Sequence, residues 1–473
     1  MHFRLRGAPL ARGAGGEVLP LDLGFETIGN ATLIVHDVDP VLSTDPWVEG
    51  TAYFGSWSLS HEVPAEQQDA IRRAPFVWFS HGHPDHLNPD CLPRFLGQTI
   101  LLADHVGGRV RNDLARAGFD VKVLPDRRWV SLSDRVHVLS VADYNQDSIL
   151  LVDVGGVLLI NLNDASDRGW SGLVRKTARR YGTCVLLALT GSRDTDMINL
   201  FDEAGRRIAP VKGPPTGLVA ARLAAYYGAT HFIPFSAMHR YQRQDSVWAS
   251  AYTTRLEDYA EGFASPACQR LPAFVRFDAL RGTWEEIGPA PIDSLVADPK
   301  AFGDDWSERL ERDEKERAAT YFQRVGHLAT FLEFVNLRVG RSDNVIPLGP
   351  ARSGRGITFE VPRASLMTAV DNAIFDDLLI GNFMRTTLHG DWPASGLYPD
   401  FTPYVSKYAD NGGARSEAEL ESYFLAYRRR DPLAFFRHRI EEVSKNLLRT
   451  RLDEKALPFR VAKRVYWGLK AAT

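Results

Sequence analysis

The chain has 473 residues, 44% hydrophobic and 24% charged, with a net charge of −3. That length suits two domains of roughly 100–200 residues each, and the near-balanced charge excludes a nucleic-acid or membrane surface as the main partner. No apolar run reaches the ~20 residues of a spanning helix, arginines interrupt any signal-peptide core near the start, and Cys91, Cys184 and Cys268 are too scattered for a disulfide framework or metal cluster; a cytoplasmic enzyme acting on a small molecule is expected. The first periodic segments are strands at 31–37 and 41–46, the second ending at Asp45-Pro46. His36 alternates with core residues and reads as a strand position, whereas His61 falls in a loop with no assignable role. Residues 76–79, Phe-Val-Trp-Phe, form a short buried strand. It runs into His81, His83, Asp85 and His86, and Asn88-Pro89 then offers a cap and a first-turn proline for a helix. Four metal-capable side chains thus lie on a loop between rigid elements, where sites are usually built. His81 and His83, two apart on extended backbone, project to one side and can share an ion. Asp85 and His86 lie where the chain turns and can reach a second. Imidazole and carboxylate bind zinc, iron and manganese alike.

The stretch His81-Gly-His83-Pro-Asp85-His86 matches in full the His-x-His-x-Asp-His signature of the metallo-β-lactamase superfamily, which the chain resembles here. The resemblance implies an α+β fold: an αβ/βα sandwich over 18–295, after an N-terminal extension (1–17) and before a mostly helical α+β region (296–473). Downstream, helices and strands alternate through 99–104, 119–124 and 135–139. Residues 149–163 read as two apolar strands across the Gly155-Gly156 turn, a strong hairpin signal. In the superfamily this hairpin has a metal ligand, normally His, on its incoming loop and a bridging Asp at its far end. The resemblance gives the bridging role to Asp164 and the incoming-loop role to Asp143, with Asn145 and Asp147 as neighbouring alternatives. No histidine lies between His137 and His231, so the slot holds a carboxylate. Hard anionic donors favour iron or manganese over zinc. After a helix at 218–227 and a strand at 230–235 comes His239, the candidate for the last ligand; His231, which begins the strand, is second choice. Tyr144, Arg193, Asp194 and Tyr241 fall on loops expected to rim the site, with Asp85, Asp164 and Tyr241 as the catalytic candidates.

From about residue 300 the texture changes. Residues 306–337 read as one long amphipathic helix, followed by a turn at 351–356, a strand at 357–361, a helix at 363–372 and a helical end whose basic run (427–464) reads as a solvated face. Five stretches resemble the metallo-β-lactamase-fold part of the CMP-N-acetylneuraminate hydroxylase family: Phe79-Ser-His-Gly-His-Pro-Asp-His-Leu, Asp147-Ser-Ile-Leu-Leu-Val-Asp, Ile160-Asn-Leu-Asn-Asp164, Ile233-Pro-Phe and Phe375-Asp-Asp-Leu-Leu-Ile-Gly. That resemblance implies a dinuclear-iron oxygenase with dioxygen as cosubstrate. His81, His83 and Asp143 are expected on one iron, Asp85, His86 and His239 on the other, and Asp164 between them. The family's Rieske domain needs paired Cys and His ligands, which three scattered cysteines do not supply, so electrons are expected from a separate ferredoxin or reductase. The alternative is hydrolysis, with two zinc or manganese ions activating water against an ester, amide or phosphodiester. A ligand set this complete argues against a purely binding role.

Overall fold

A computed structural model describes residues 21–440 apart from 144, 190–196, 211–212, 294, 350–353, 394–395, 398–399, 434, 437 and 439. Tyr144, Arg193, Asp194 and most of the basic run therefore lie outside the described residues.

Period-two and near-continuous apolar segments build two mixed sheets laid face to face. The first has eight strands, in the spatial order Thr283–Glu286, Val275–Asp278, Leu23–Ile28, Thr32–Asp37, Asp39–Thr44, Phe76–Phe79, Thr99–Leu102 and Asp120–Val123. The second has seven, in the order Gln269–Arg270, His231–Pro234, Thr183–Ala188, Val157–Asn163, Ser148–Val154, Val136–Ala142 and Trp129–Ser131. Phe25, Leu33 and Trp78 of one sheet meet Leu150, Leu159 and Leu187 of the other in a dry core. Each outer face is closed by helices. Ala70 and Ile71 of Ala65–Arg73 and Leu114 of Arg109–Arg116 cover the first. Val174 of Ser171–Ala178 and Ala220 and Ala224 of Thr216–Tyr227 cover the second. This is the αβ/βα sandwich that the resemblance implies. The expected hairpin forms across Gly155 and Gly156, whose φ of 57° and 91° suit a left-handed turn.

Two sequence expectations fail locally. The long helix at 306–337 is three elements: a helix Arg312–Gln323 that starts at a Glu311–Glu314 capping box, a single turn Leu328–Phe331, and a strand Phe334–Val339. Charge-rich residues up to 323 mask the change of period. Val335, Leu337 and Val339 alternate into the core, which is a strand pattern. The helix start at Asn88-Pro89 is also replaced, by a 3-10 turn Leu92–Phe95. Asn88 still caps, its Oδ1 accepting from the amides of Asp90 (3.0 Å) and Cys91 (3.2 Å).

The strand Phe334–Val339 belongs to a third, five-stranded sheet with Ser342–Pro347, Gly356–Glu360 and Arg385–His389. Its fifth strand, Leu200–Phe201, comes from the sandwich portion of the chain and pairs parallel with Arg385–His389. Phe322, Phe359, Phe375 and Phe401 fill the core beneath it. No helix among the described residues is long and apolar enough to cross a membrane.

Candidate metal centre

The loops that carry the expected ligands leave the same end of neighbouring strands. Asp45 follows Asp39–Thr44, His81 follows Phe76–Phe79, Asp164 follows Val157–Asn163, and Ser236 follows His231–Pro234. Four non-glycine residues there hold left-handed backbone: Asp45 (φ 42°), Gln146 (63°), Asn163 (39°) and Ser236 (61°). Each such residue costs about 1–3 kcal/mol and persists only where its surroundings over-determine it. At Asn163 they do. The pairing register slips between Asn161 and Asn163, the Asn163 Nδ2 donates to the Ser148 carbonyl at 3.1 Å, and its Oδ1 accepts from the Asp164 amide at 2.6 Å. The bulge turns Asp164 toward the histidine loop.

The three motif histidines each have one ring nitrogen held and the other aimed inward. His81 Nδ1 meets Ser80 Oγ at 2.9 Å, and its Nε2 faces His83 Nδ1 at 2.8 Å. His83 Nε2 meets Asp376 Oδ2 at 3.0 Å. The fully buried His86 meets Asp45 Oδ2 through Nδ1 at 3.1 Å; its Nε2 faces Asp164 Oδ2 at 3.1 Å and Asp85 Oδ2 at 3.3 Å. Asp85 is itself fixed by Asn30 Nδ2 (3.0 Å) and the Tyr53 hydroxyl.

Ligand atoms of His81, His86 and Asp164 lie within 4.8 Å of one another, and so do those of His83, Asp376 and Asp377. The structure thus brings together His81 with His83, and His86 with Asp85 and Asp164, but groups them differently from the expected division by ion. His81's group is completed by His86 and Asp164, and His83's by two aspartates of the helix Phe375–Ile380. Asp143 is buried on the loop before Ser148–Val154, where its Oδ1 accepts from the amides of Asn145 (2.8 Å) and Asp147 (3.3 Å). It falls in neither group, nor do Asn145 and Asp147.

His239 begins the short strand His239–Tyr241 and stacks on Trp57, ring centroids 3.4 Å apart. Both of its ring nitrogens are shielded from solvent with no hydrogen-bond partner, and so is Oδ1 of Asp164. Orphaned buried polar atoms cost about 1–3 kcal/mol each unless something binds them. An ion would satisfy the Asp164 oxygen and the lone-pair nitrogen of His239. His231 is different: its Nδ1 meets the Thr230 hydroxyl at 2.9 Å and its ring packs on Phe277. His36 likewise takes the plain strand position, its Nε2 3.1 Å from Glu26. Tyr241 lies on a strand rather than a rim loop; it is buried, and its hydroxyl accepts from Asn382 Nδ2 at 2.7 Å.

Electrostatics make the same case for a cation. Burial opposes a charge on His86, but Asp85, Asp164 and Asp45 outweigh it and hold its pKa well above the usual imidazole range. Burial also resists ionisation of Asp85, yet His86 and the Tyr53 hydrogen bond pull it well below the carboxylate range. Burial raises Asp377 strongly, and Asp376, Asp85 and Asp410 push it further. His239 is pushed down to about 4 by burial, which keeps it a neutral imidazole and therefore a competent ligand. Crowded carboxylates, inward-facing imidazoles and orphaned donor atoms fit a metal centre.

Sequence reasoning leaves out Asp45, Asp376 and Asp377. The Asp-Pro step at a strand end was a signal for Asp45. The other two stand in the stretch Phe375-Asp-Asp-Leu-Leu-Ile-Gly that carries the hydroxylase resemblance, although nothing local marks them as neighbours of His83.

No family model matches the chain. It is similar to the cytidine monophosphate-N-acetylneuraminic acid hydroxylase of Asterias rubens, 27% identical over 168 residues, which cover 32% of this chain and 25% of that protein. The Danio rerio hydroxylase is 28% identical over 131 residues, 26% of this chain and 22% of that protein. The match spans about a quarter of these relatives' length. Among solved structures, the chain aligns with CmlA, a diiron β-hydroxylase from Streptomyces venezuelae, at 13% identity, 55% of each chain and a TM-score of 0.36. It also aligns with Igni18, a metallo hydrolase from Ignicoccus hospitalis, at 12% identity, 56% of this chain, 99% of that one and a TM-score of 0.33. The sandwich, the intact signature and the hydroxylase similarity agree with the metallo-β-lactamase-superfamily resemblance.

Proposed function

We propose that the chain is a dinuclear metalloenzyme, with iron as its metal, that inserts one atom of dioxygen into a C–H or N–H bond of a small metabolite. The donor set carries this reading. Inward-facing histidines stand among the carboxylates of Asp85 and Asp164, and hard oxygen donors suit iron or manganese better than they suit structural zinc. The local similarity to hydroxylases supports it. His81, His83, Asp85, His86, Asp164 and His239 would hold the two ions, and Asp143, expected as a further ligand, lies in neither group of ligand atoms.

Bound iron would supply one-electron redox chemistry and activation of dioxygen. The chain's own residues position and shield that chemistry. Ser80 and Asp45 fix the rings of His81 and His86, and second partners of this kind set the tautomer and basicity of a ligating imidazole. A cleft lined by His81, His105, Arg111, Gln146 and Asn411 opens beside the first ligand and gives a small substrate its way in. Substrate, dioxygen, two electrons and two protons give oxidised product and one water; the electrons come from an external reductant such as a ferredoxin or its reductase. The relatives' substrate is not carried over, because the match covers only about a third of this chain.

Anaerobic reconstitution with iron(II), followed by dioxygen, should produce an optical change and reductant-dependent oxygen uptake. Active protein with stoichiometric zinc and no tightly held iron, turning over without oxygen or reductant, overturns the oxygenase and establishes the hydrolase.

A further inference from the structure

The geometry points to Asp376, in the C-terminal region, as the residue that positions His83 for metal binding. This rests on the reading above that His81 and His83 share an ion. His83 has two ring nitrogens with different neighbours. Nδ1 faces His81 Nε2 at 2.8 Å, and Nε2 lies 3.0 Å from Asp376 Oδ2. A carboxylate only accepts, so the ring proton sits on Nε2 and Nδ1 is left bare on the side of His81. That bare nitrogen and His81 Nε2 face one point from 2.8 Å apart, which places both rings to donate to one ion once any proton between them is released. His83 is thereby selected as an Nδ1 ligand, with its ring plane fixed and its basicity raised by the acid behind it.

The helix that carries Asp376 is held at both ends by the sandwich. Before the helix, Arg109 Nη1 donates to the carbonyls of Ala373 and Asp410, both at 2.7 Å, and Nη2 donates to that of Asn372. After it, the Ser56 hydroxyl donates to the Gly381 carbonyl at 2.6 Å, and Asn199 Nδ2 donates to the Asn382 carbonyl at 3.0 Å. Phe375 is buried in the C-terminal core while the next residue, Asp376, turns to His83. Asn411 Nδ2 approaches the same carboxylate oxygen at 3.4 Å. Asp376 is nearly fully buried, so it has no solvent route away from the ring. The C-terminal region therefore completes the inner wall of the metal centre.

The test uses the full-length chain, stripped of metal and titrated with cobalt(II) while the d–d absorption is followed. Asp376→Asn is expected to weaken cobalt binding by about 10–100-fold, the usual loss when a ligand's outer partner is removed, with a changed band shape. In a His83→Ala background the same change is expected to cost almost nothing, because a positioning residue acts only through the ring it positions. An equal loss in both backgrounds would make Asp376 an independent ligand and overturn the inference. So would unaltered binding by Asp376→Asn. A second measurement needs no Asp376 variant: in the metal-free wild type labelled with 15N-histidine, neutral His83 should be the Nε2–H tautomer, assigned by comparison with His83→Ala. An Nδ1–H tautomer overturns the inference. Failure of the wild-type chain to bind cobalt at all would sink the two-metal reading itself, which separates the two failures.

Discussion

His86 shows what a single side chain does at this site. Three aspartates surround it and hold its pKa well above the ordinary value, so the metal-free chain favours the protonated ring. A metal takes only the neutral ring, so binding must expel that proton, and affinity should rise as pH rises. Titrating metal into weakly buffered, metal-free protein near neutrality should release protons measurably; binding with no release contradicts the assignment of His86 as a ligand. Asn163 is the matching backbone case. Asn163→Ala keeps a φ of 39° that alanine dislikes and loses the bond to the Ser148 carbonyl, a cost of about 1–3 kcal/mol. Asn163→Gly removes the strain but not the lost bond. Thermal melts should therefore rank wild type above the glycine variant and the glycine variant above alanine, with Asp164-dependent metal binding weakened in both. At this scale the sequence is most legible where chemistry is contiguous. His81 to His86 share one loop, and backbone stereochemistry alone brings them together. Asp143 is marked only by its distance from the hairpin, and its carboxylate is bonded to its own loop.

Elements were legible where their period was unmixed. The hairpin Ser148–Val154 and Val157–Asn163 and the helix Arg363–Asn372 appear where the pattern puts them. The stretch 306–337 misleads because a charged helix runs into an alternating strand, and helical spacing is easily found in both. Close packing between elements leaves no local trace at all. Gly217, in the first turn of Thr216–Tyr227, approaches the 3-10 turn Leu256–Tyr259 and the residues after it so closely that an added Cβ would lie 2.5 Å from the Glu261 carbonyl oxygen and 2.6 Å from that of Tyr259. Backbone atoms cannot swing aside. Gly217→Ala should cost about 1–3 kcal/mol by overpacking, read as a lower melting temperature with the metal-binding stoichiometry kept.

At the scale of the whole molecule, the C-terminal region is built around a buried charge of its own. Asp410 accepts from the Tyr321 hydroxyl (2.6 Å) and the Phe375 amide (2.8 Å) and pairs with Arg324 at 3.1 Å. Burial first, then Asp376, pushes its pKa up to about 7. Its folded pKa thus exceeds the unfolded value of about 3.9, so its protonated form favours the fold; that stability is full below about pH 4 and is lost as pH rises toward 7. The loss is on the order of 4 kcal/mol at most, three units at about 1.4 kcal/mol each. Asp410→Asn should flatten this slope: the stability of the variant relative to wild type climbs between about pH 4 and 7 in denaturant titrations and levels off above. A parallel pair of curves across that window rules out Asp410 as the source.

The sequence by itself determined the histidine loop and the hairpin, and through the family resemblance it implied the sandwich and the place of Asp164. The loop and the hairpin are specified by local patterns: apolar alternation fixes which face a strand buries, and a turn fixes which side chains leave it together. Only the tertiary structure decided that Asp45 stands behind His86 and that Asp376, 293 residues from His83, stands behind that ring. Those pairings depend on how apolar faces such as those around Phe375 and Phe359 pack. Packing is non-directional and leaves no pairwise mark on either partner's sequence.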